Sequence, residues 1–214
     1  MNLTQKYNLK IEVDQGGNNH HISESFQDNG EILLLGIFEK ACLKIKSEKP
    51  NASMIELGAN WSYYSLLFKH IIGKDNTFNI MVEADPEALK RGIHNFNIND
   101  TKGIFLNKMI GNEAYRLPHL NTIPCVSLED LCKEYNLNFV DILHSDIDSS
   151  EFDMLNQNKE FFEKKMVKYL FLLTHSEDLH KKCFQFLTDL KYNCILNHTH
   201  FNVGGGDALL IFET

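Results

Sequence analysis

Four residues stand where apolar runs end: Glu56, Glu83, Asp146 and His175. A side chain in such a place leaves a buried strand and meets solvent. An ionised carboxylate there only accepts hydrogen bonds, and an imidazole titrates near neutral pH, so the set suits holding hydroxyls, moving a proton or ligating a cation. Glu56 closes M-I-E, ahead of L-G-A-N-W-S-Y-Y-S, and Glu83 closes F-N-I-M-V-E. Asp146 follows F-V-D-I-L-H-S and opens the acidic loop D-I-D-S-S-E, while His175 follows K-Y-L-F-L-L-T. Open α/β sheets bind ligands beyond the carboxyl ends of their strands. Adjacent strands lie about 4.8 Å apart, so Asp146 and His175 can face one acceptor, and either can remove a proton from a hydroxyl. The competing readings are a carboxylate that caps the next helix, for Asp146, and a loop imidazole that caps or packs, for His175. Asp146, Asp148 and His175 together are also a possible divalent-cation set. The base reading is preferred, because no H-E-x-x-H-like spacing accompanies them. His20, His21, His198 and His200 remain unassigned.

The elements that must position these groups are legible around them. Residues 54–65 read as strand, tight turn and helix start, and Tyr64, Leu67, Phe68, Ile71 and Ile72 then repeat at helical spacing until Gly73. A second strand ends at Glu83, and Asp85-Pro86 supplies an N-cap and a first-turn proline. Two such βα units are the nucleoside-binding half of a doubly wound sheet. A pyrophosphate needs G-x-G-x-x-G to approach the backbone, whereas here Gly58 is followed by Asn60, Trp61 and Ser62. A cofactor without phosphates fits better, and S-adenosylmethionine is one. Its carboxylate would sit by the free N–H groups at the helix N-terminus and its ribose hydroxyls on Glu83. Tyr63, off the apolar stripe, would flank it.

Before this unit, residues 9–13 alternate like a strand and residues 16–19 form a polar turn, which suggests a lid or edge. Leu33, Ile37, Ala41 and residues 43–45 outline a helix ahead of Pro50. After it, Leu89, Ile93 and Phe96 mark one side of the Pro86 helix, residues 103–110 read as one strand, and residues 112–124 as loop. Ser127-x-x-Asp130 starts a helix carrying Leu128, Leu131, Cys132 and Tyr135. Ser176 caps a helix in which Leu179, Cys183, Phe186, Leu187 and Leu190 align. The chain closes with two strands, 192–201 and 208–212, joined by a glycine-rich turn suited to an antiparallel hairpin.

The 214 residues suit one domain, with 1–49 as N-terminal lid or cap and 50–214 as core. A formal charge of −8 argues against a nucleic-acid partner. No apolar run is long enough to span a membrane, and the N-terminus has no signal-like stretch, so a cytoplasmic location is expected. The five cysteines are odd in number and lack a C-x-x-C pair, as reduced packing residues would be.

Over residues 50–212 the chain resembles the FkbM-type S-adenosylmethionine-dependent methyltransferases. The family stretch D-I-G-A-N-x-G-Y-Y-S is matched by E-L-G-A-N-W-S-Y-Y-S from Glu56. V-E-P-x-P is matched by V-E-A-D-P from Val82, T-L-D-x-L by S-L-E-D-L from Ser127, and K-I-D-V-E-G-x-E by H-S-D-I-D-S-S-E from His144. The resemblance implies an α/β, Rossmann-like class I methyltransferase fold. Its sheet has seven strands in the order 3-2-1-4-5-7-6, strand 7 antiparallel, with helices on both faces. It also implies O-methylation of a hydroxyl on a sugar or small metabolite. Carried onto this sequence, the cofactor falls to Glu56, Gly58, Ala59, Asn60, Tyr63, Ser65, Glu83 and Ala84, and the chemistry to Asp146 with His175. Three residues depart from the family: Ser62 and Ser149 stand where glycines are usual, and His144 where lysine is common.

Overall fold

In the computed structural model, residues 3–12, 29–111, 123–199 and 208–214 are described. In chain order they form α1 (Leu3–Lys6), α2 (Asn29–Glu48), β1 (Ala52–Leu57), α3 (Tyr63–Ile72), β2 (Thr77–Glu83), α4 (Pro86–Ile98), β3 (Ile104–Asn107), β4 (Met109–Ile110) and β5 (Cys125–Val126). There follow α5 (Leu128–Glu134), β6 (Val140–Ser145), α6 (Glu151–Gln157), α7 (Lys159–Glu163), β7 (Val167–Thr174), α8 (Glu177–Asp189), β8 (Asn193–His198) and β9 (Ala208–Glu213). The turn at residues 16–19, His20, His21, residues 112–122, His200 and the glycine-rich turn at 202–207 lie outside the described residues.

β1 and β6 are buried at every position, as strands must be when helices cover both faces of a sheet. They are the centre of a seven-stranded sheet ordered β3-β2-β1-β6-β7-β9-β8. Counting only those seven, the order is the expected 3-2-1-4-5-7-6, and β9 runs antiparallel to both neighbours. Met54, Met81, Ile142 and Phe171 face α2 and α3 on one side. Ile55, Val82, Leu143 and Leu170 face α5 to α8 on the other. The caps expected at Asp85, Ser127 and Ser176 are made, each side chain accepting a backbone N–H of its helix's first turn.

Four details differ from the sequence expectation. The run at 103–110 is two strands: the Lys108 N–H turns back to the Leu106 carbonyl, and β4 leaves the main sheet to pair with β5. The buried stripe of α2 is Leu34, Phe38, Ala41, Cys42 and Ile45, while Leu33 and Leu43 face out. Phe38 sets that phase by wedging against Tyr64 and Phe171, at ring separations of 5.4 and 5.2 Å. α4 buries Ala88, Gly92, Asn95 and Phe96, leaving Ile93 exposed. Its small and amide residues are needed there because residues 9–12 form no strand and bond instead to side chains. The Lys10 and Glu12 N–H groups donate to Asn99 Oδ1 and Asn95 Oδ1, at 2.9 and 2.8 Å, and the asparagine amides donate back to the same two residues' carbonyls. Two carboxamides thus do what a neighbouring strand would do for an otherwise unpaired backbone.

All five cysteines are free thiols, three of them buried. No helix among the described residues is long and apolar enough to cross a membrane.

Candidate active site

The carboxyl ends of β1, β2 and β6 are tied together by their backbones. Gly58 and Ala59 N–H donate to the Val82 carbonyl at 2.9 and 3.2 Å, and Asp146 N–H donates to the Leu57 carbonyl at 3.0 Å. Gly58 has φ +68°, and a Cβ there would collide with the Asp146 carbonyl, so the glycine is what lets β1 and β6 close at this point. A cavity of about 560 Å³ opens beyond these strand ends, within the size range of small-molecule sites.

One end of the cavity is built around Glu83. Its Oε2 accepts the Asn60 N–H and its Oε1 the Asp85 N–H, both at 2.9 Å. Asn107 pins the strand end below by donating to the Glu83 and Ala84 carbonyls, also at 2.9 Å. Each carboxylate oxygen keeps a second lone pair, so an oriented acceptor pair faces the cavity, suited to two vicinal hydroxyls. Met109 and Ile110 add an apolar wall, and Arg91 and Lys108 bring positive charge. Arg91 Nη2 donates to Asn60 Oδ1 at 3.2 Å, and its Nε is buried without a hydrogen-bond partner among the described residues. Neither cation is signalled one-dimensionally: Arg91 lies in the polar run L-K-R-G of a helix, and Lys108 reads as a polar position inside the strand-like run 103–110.

The other end carries the acidic loop. Asp146 lines the cavity, and its Oδ1 lies 3.2 Å from His175 Nε2. On the far side of the ring, Nδ1 lies 3.1 Å from Oε1 of Glu151, which is fully buried. Ser149 N–H also points at Nδ1, at 3.3 Å. A bare nitrogen lone pair facing a carboxylate would be repelled, so both ring nitrogens carry protons, Nδ1 toward Glu151 and Nε2 toward Asp146. Hydrogen bonding to Asp146, and then to Glu151, outweighs burial and pushes His175 up to about 10. It is therefore an imidazolium at neutral pH, where a neutral base was expected. Asp148 is fully exposed, with its Oδ1 3.9 Å from His175 Nε2. Among acids near the imidazole the structure brings in Glu151, where Asp148 was expected. In the sequence Glu151 is the last acid of the loop D-I-D-S-S-E; here it is the first residue of α6, where an acid also suits the helix dipole. Its Oε1 also accepts the Ile147 N–H at 3.2 Å, closing the loop.

Of the eight residues expected at the cofactor, Gly58, Asn60, Glu83 and Ala84 line the cavity; Glu56, Ala59, Tyr63 and Ser65 do not. Glu56 is buried and accepts the Ser65 N–H at 3.1 Å. Burial pushes its carboxyl up to about 8. The helix N-terminal N–H expected to meet a cofactor carboxylate is thus committed internally. Tyr63 packs edge-on to Tyr64, and its hydroxyl pairs with Thr4 Oγ1 at 3.2 Å. His144 lies beside Glu56 in the sheet register and stacks on Tyr64 at 4.0 Å. Burial lowers it to about 4, so it is a neutral core ring with neither nitrogen hydrogen-bonded among the described residues. Ser62 and Ser149 have φ of +57° and +75°, a backbone region that favours glycine. Ser62 is buried against Gly92 and lies off the cavity lining, so its side chain does not narrow the cavity.

No protein-family model and no curated protein matches the chain. Among solved structures it is similar to a human methyltransferase 10 domain containing protein, at 11% identity and TM-score 0.59 over 99% of this chain and 91% of that one. It is also similar to the N-terminal domain of human METTL16 in complex with SAH, at 12% identity and TM-score 0.56 over 99% and 78%. A third likeness is to M. capricolum TrmK in complex with S-adenosyl-homocysteine, at 10% identity and TM-score 0.51 over 80% and 66%. At such identities the likeness is one of fold: the chain has the Rossmann-like methyltransferase fold.

Proposed function

We propose that the chain is an S-adenosylmethionine-dependent methyltransferase that methylates a hydroxyl of a sugar or other small metabolite. The observation that carries this reading is Glu83, held by two backbone N–H groups at the rim of a cavity whose turn has one glycine, Gly58, and not the three of a dinucleotide loop. Bound there, S-adenosylmethionine supplies an electrophilic methyl group on a sulfonium. Glu83 would accept the ribose hydroxyls, Met109 and Ile110 would flank the base, and Arg91 would offer a donor to an anionic group. At the opposite end, Asp146 faces the acceptor. The acceptor oxygen would take the methyl as its bond to the sulfonium breaks, leaving S-adenosylhomocysteine, and the acceptor's proton would leave toward Asp146. Both ring nitrogens of His175 already face carboxylates, so His175 positions Asp146 and does not take that proton itself. Asp146, Asp148 and Asp153 make the acceptor end acidic, which repels phosphates and, with the net charge of −8, favours an uncharged hydroxylated acceptor over nucleic acid.

Calorimetric titration with S-adenosylhomocysteine and NAD, side by side, tests the reading. Glu83→Ala should weaken S-adenosylhomocysteine by about 1–3 kcal/mol, as expected for hydrogen bonds lost from a charged acceptor. Tight NAD binding, or unchanged affinity in the variant, refutes the assignment.

A further inference from the structure

We infer that Asp146, Glu151 and His175 form a site for one divalent cation such as Mn2+, Fe2+ or Zn2+. Each side chain offers one donor atom, and the three donors lie within 4.8 Å of one another. An ion takes one ring nitrogen of His175: Nε2 stands 3.2 Å from Asp146 Oδ1 and Nδ1, on the far side of the ring, 3.1 Å from Glu151 Oε1, so either nitrogen has one carboxylate oxygen at the spacing of a neighbouring ligand and the third donor within the wider limit. Donors about 2.1 Å from a common centre, at ordinary ligand angles, stand roughly 3.0–3.4 Å from each other. The three groups also sit on firm supports: Asp146 follows β6, Glu151 opens α6 and His175 follows β7.

A second observation is independent of this spacing. Glu151 is fully buried; its Oε1 serves Ile147 and His175, but its Oε2 has no partner among the described residues. A carboxylate oxygen withdrawn from water without a donor is costly, and a cation between these side chains supplies what it lacks. Charge points the same way. Asp146, Asp148, Glu151 and Asp153 fall within eight residues. His175 is the one cationic group that forms an ion pair with Asp146, Asp148 or Glu151 among the described residues.

Two carboxylates with one imidazole form a mixed donor set. Oxygen ligands alone favour magnesium or calcium, and an imidazole shifts the preference toward transition ions. Asp146 also lines the cavity, so an ion here stands in the cavity wall. An acceptor hydroxyl that joins its coordination sphere loses its proton more readily, which helps a carboxylate that is by itself a weak base for an alcohol. That role rests on the methyl-transfer reading; cation binding does not.

The test uses the full chain, free of any affinity tag and stripped with a chelator, titrated with Mn2+ while the free ion is followed by electron paramagnetic resonance. One saturable site per chain is expected, and pulsed measurements should show coupling to an imidazole nitrogen. Glu151→Gln keeps the side-chain volume and an acceptor for Ile147, and His175→Gln removes the nitrogen. Each should weaken Mn2+ by more than about 10-fold, with the nitrogen coupling lost in the second, while Asp148→Asn, which removes a nearby charge but no ligand, should weaken it by less than about 3-fold. Circular dichroism and S-adenosylhomocysteine titration of the same variants show that fold and cavity persist. No saturable Mn2+ binding by the parent chain, bound Mn2+ without nitrogen coupling, or Glu151→Gln binding like the parent overturns the site. Mn2+ binding without S-adenosylhomocysteine binding sinks the methyltransferase reading alone, so the two failures are distinct.

Discussion

Ser62 is held at φ 57°, ψ 36° as the N-cap of α3, with no side-chain capping bond and with its hydroxyl buried and without a hydrogen-bond partner among the described residues. Two costs follow. A left-handed conformation costs an L-residue about 1–2 kcal/mol relative to glycine, and an unsatisfied buried hydroxyl costs about 1–3 kcal/mol. Glycine returns roughly 0.5–1 kcal/mol through its freer unfolded chain. Ser62→Gly should therefore stabilise the protein by about 1–4 kcal/mol, a rise of roughly 2–4 °C in Tm per kcal/mol for a chain of this size. Ser62→Ala keeps the strained backbone and sheds only the hydroxyl, so it should fall between glycine and the parent. The partner position makes the reasoning sharper. A Cβ on Gly92 would press on Ser62 Oγ and on the Asn60 carbonyl, so Gly92→Ala should cost about 1–3 kcal/mol as overpacking. In the Ser62→Gly background the first of these contacts is gone, and the cost should shrink. Urea denaturation of the four proteins gives the coupling. Additive effects, or a Ser62→Gly protein no more stable than the parent, would refute the account. S-adenosylhomocysteine affinity should be unchanged in Ser62→Gly and Ser62→Ala, because Ser62 does not line the cavity.

Glu56 has its folded carboxyl raised to about 8 from an ordinary value of 4.5, so its stabilising contribution is complete below pH 4.5 and is lost as pH rises toward 8. Glu56→Gln removes this loss and should gain on the parent between pH 6 and 8 by at most about 1.4 kcal/mol per pH unit; parallel urea curves at each pH would contradict it. His144 is lowered to about 4 from 6.5, so its contribution is present above pH 6.5 and lost as pH falls toward 4; His144→Phe should flatten the acid limb of the stability profile, and an unchanged limb counts against a neutral buried ring. Asn95→Ala removes an acceptor for the Glu12 N–H and donors to the Glu12 and Trp61 carbonyls; hydrogen exchange at Glu12 should accelerate, and a stability loss of about 1 kcal/mol per lost bond is expected. Asp146→Asn should cut turnover of a hydroxylated acceptor by about 100-fold or more with cofactor affinity kept, while Asp148→Asn leaves turnover unchanged; the reverse pattern exchanges their roles.

The sheet was legible because its central strands obey local rules without exception. Apolar runs buried on both faces, each ending in a carboxylate or a polar turn, state both strand and direction, and Asp85, Ser127 and Ser176 announce their helices. Helix phase was less legible. In α2, neighbouring positions 33 and 34 are both leucine, and tertiary contact between Phe38, Tyr64 and Phe171 decides which one is buried. In α4 the buried face is read from Gly92 and Asn95, residues that carry no hydrophobic signal, because this helix packs closely on a turn and holds residues 9–12 by hydrogen bonds. The site shows the same division. Glu83 and Asp146 follow from strand ends, whereas Glu151 and Arg91 reach it from helices, and nothing in one-dimensional spacing tells such residues from solvated charges.

The position of Glu56 explains why a motif glutamate at a strand end need not touch a ligand. Its strand neighbours Leu57 and Ile55 face α5 to α8, so alternation turns Glu56 toward α3 and beneath the helix that follows its own turn. There it meets a free helical N–H and the ring of a neutral histidine in a place without water. An ionised carboxylate would be expensive in that setting, and the proton it keeps up to about pH 8 removes most of the cost. Glu83, at the end of the neighbouring strand and half-buried, holds both oxygens toward backbone N–H groups at the cavity rim. Two glutamates at equivalent strand ends therefore divide the work by side-chain direction: one orders the helix that forms the turn, and the other presents the acceptors that the turn surrounds.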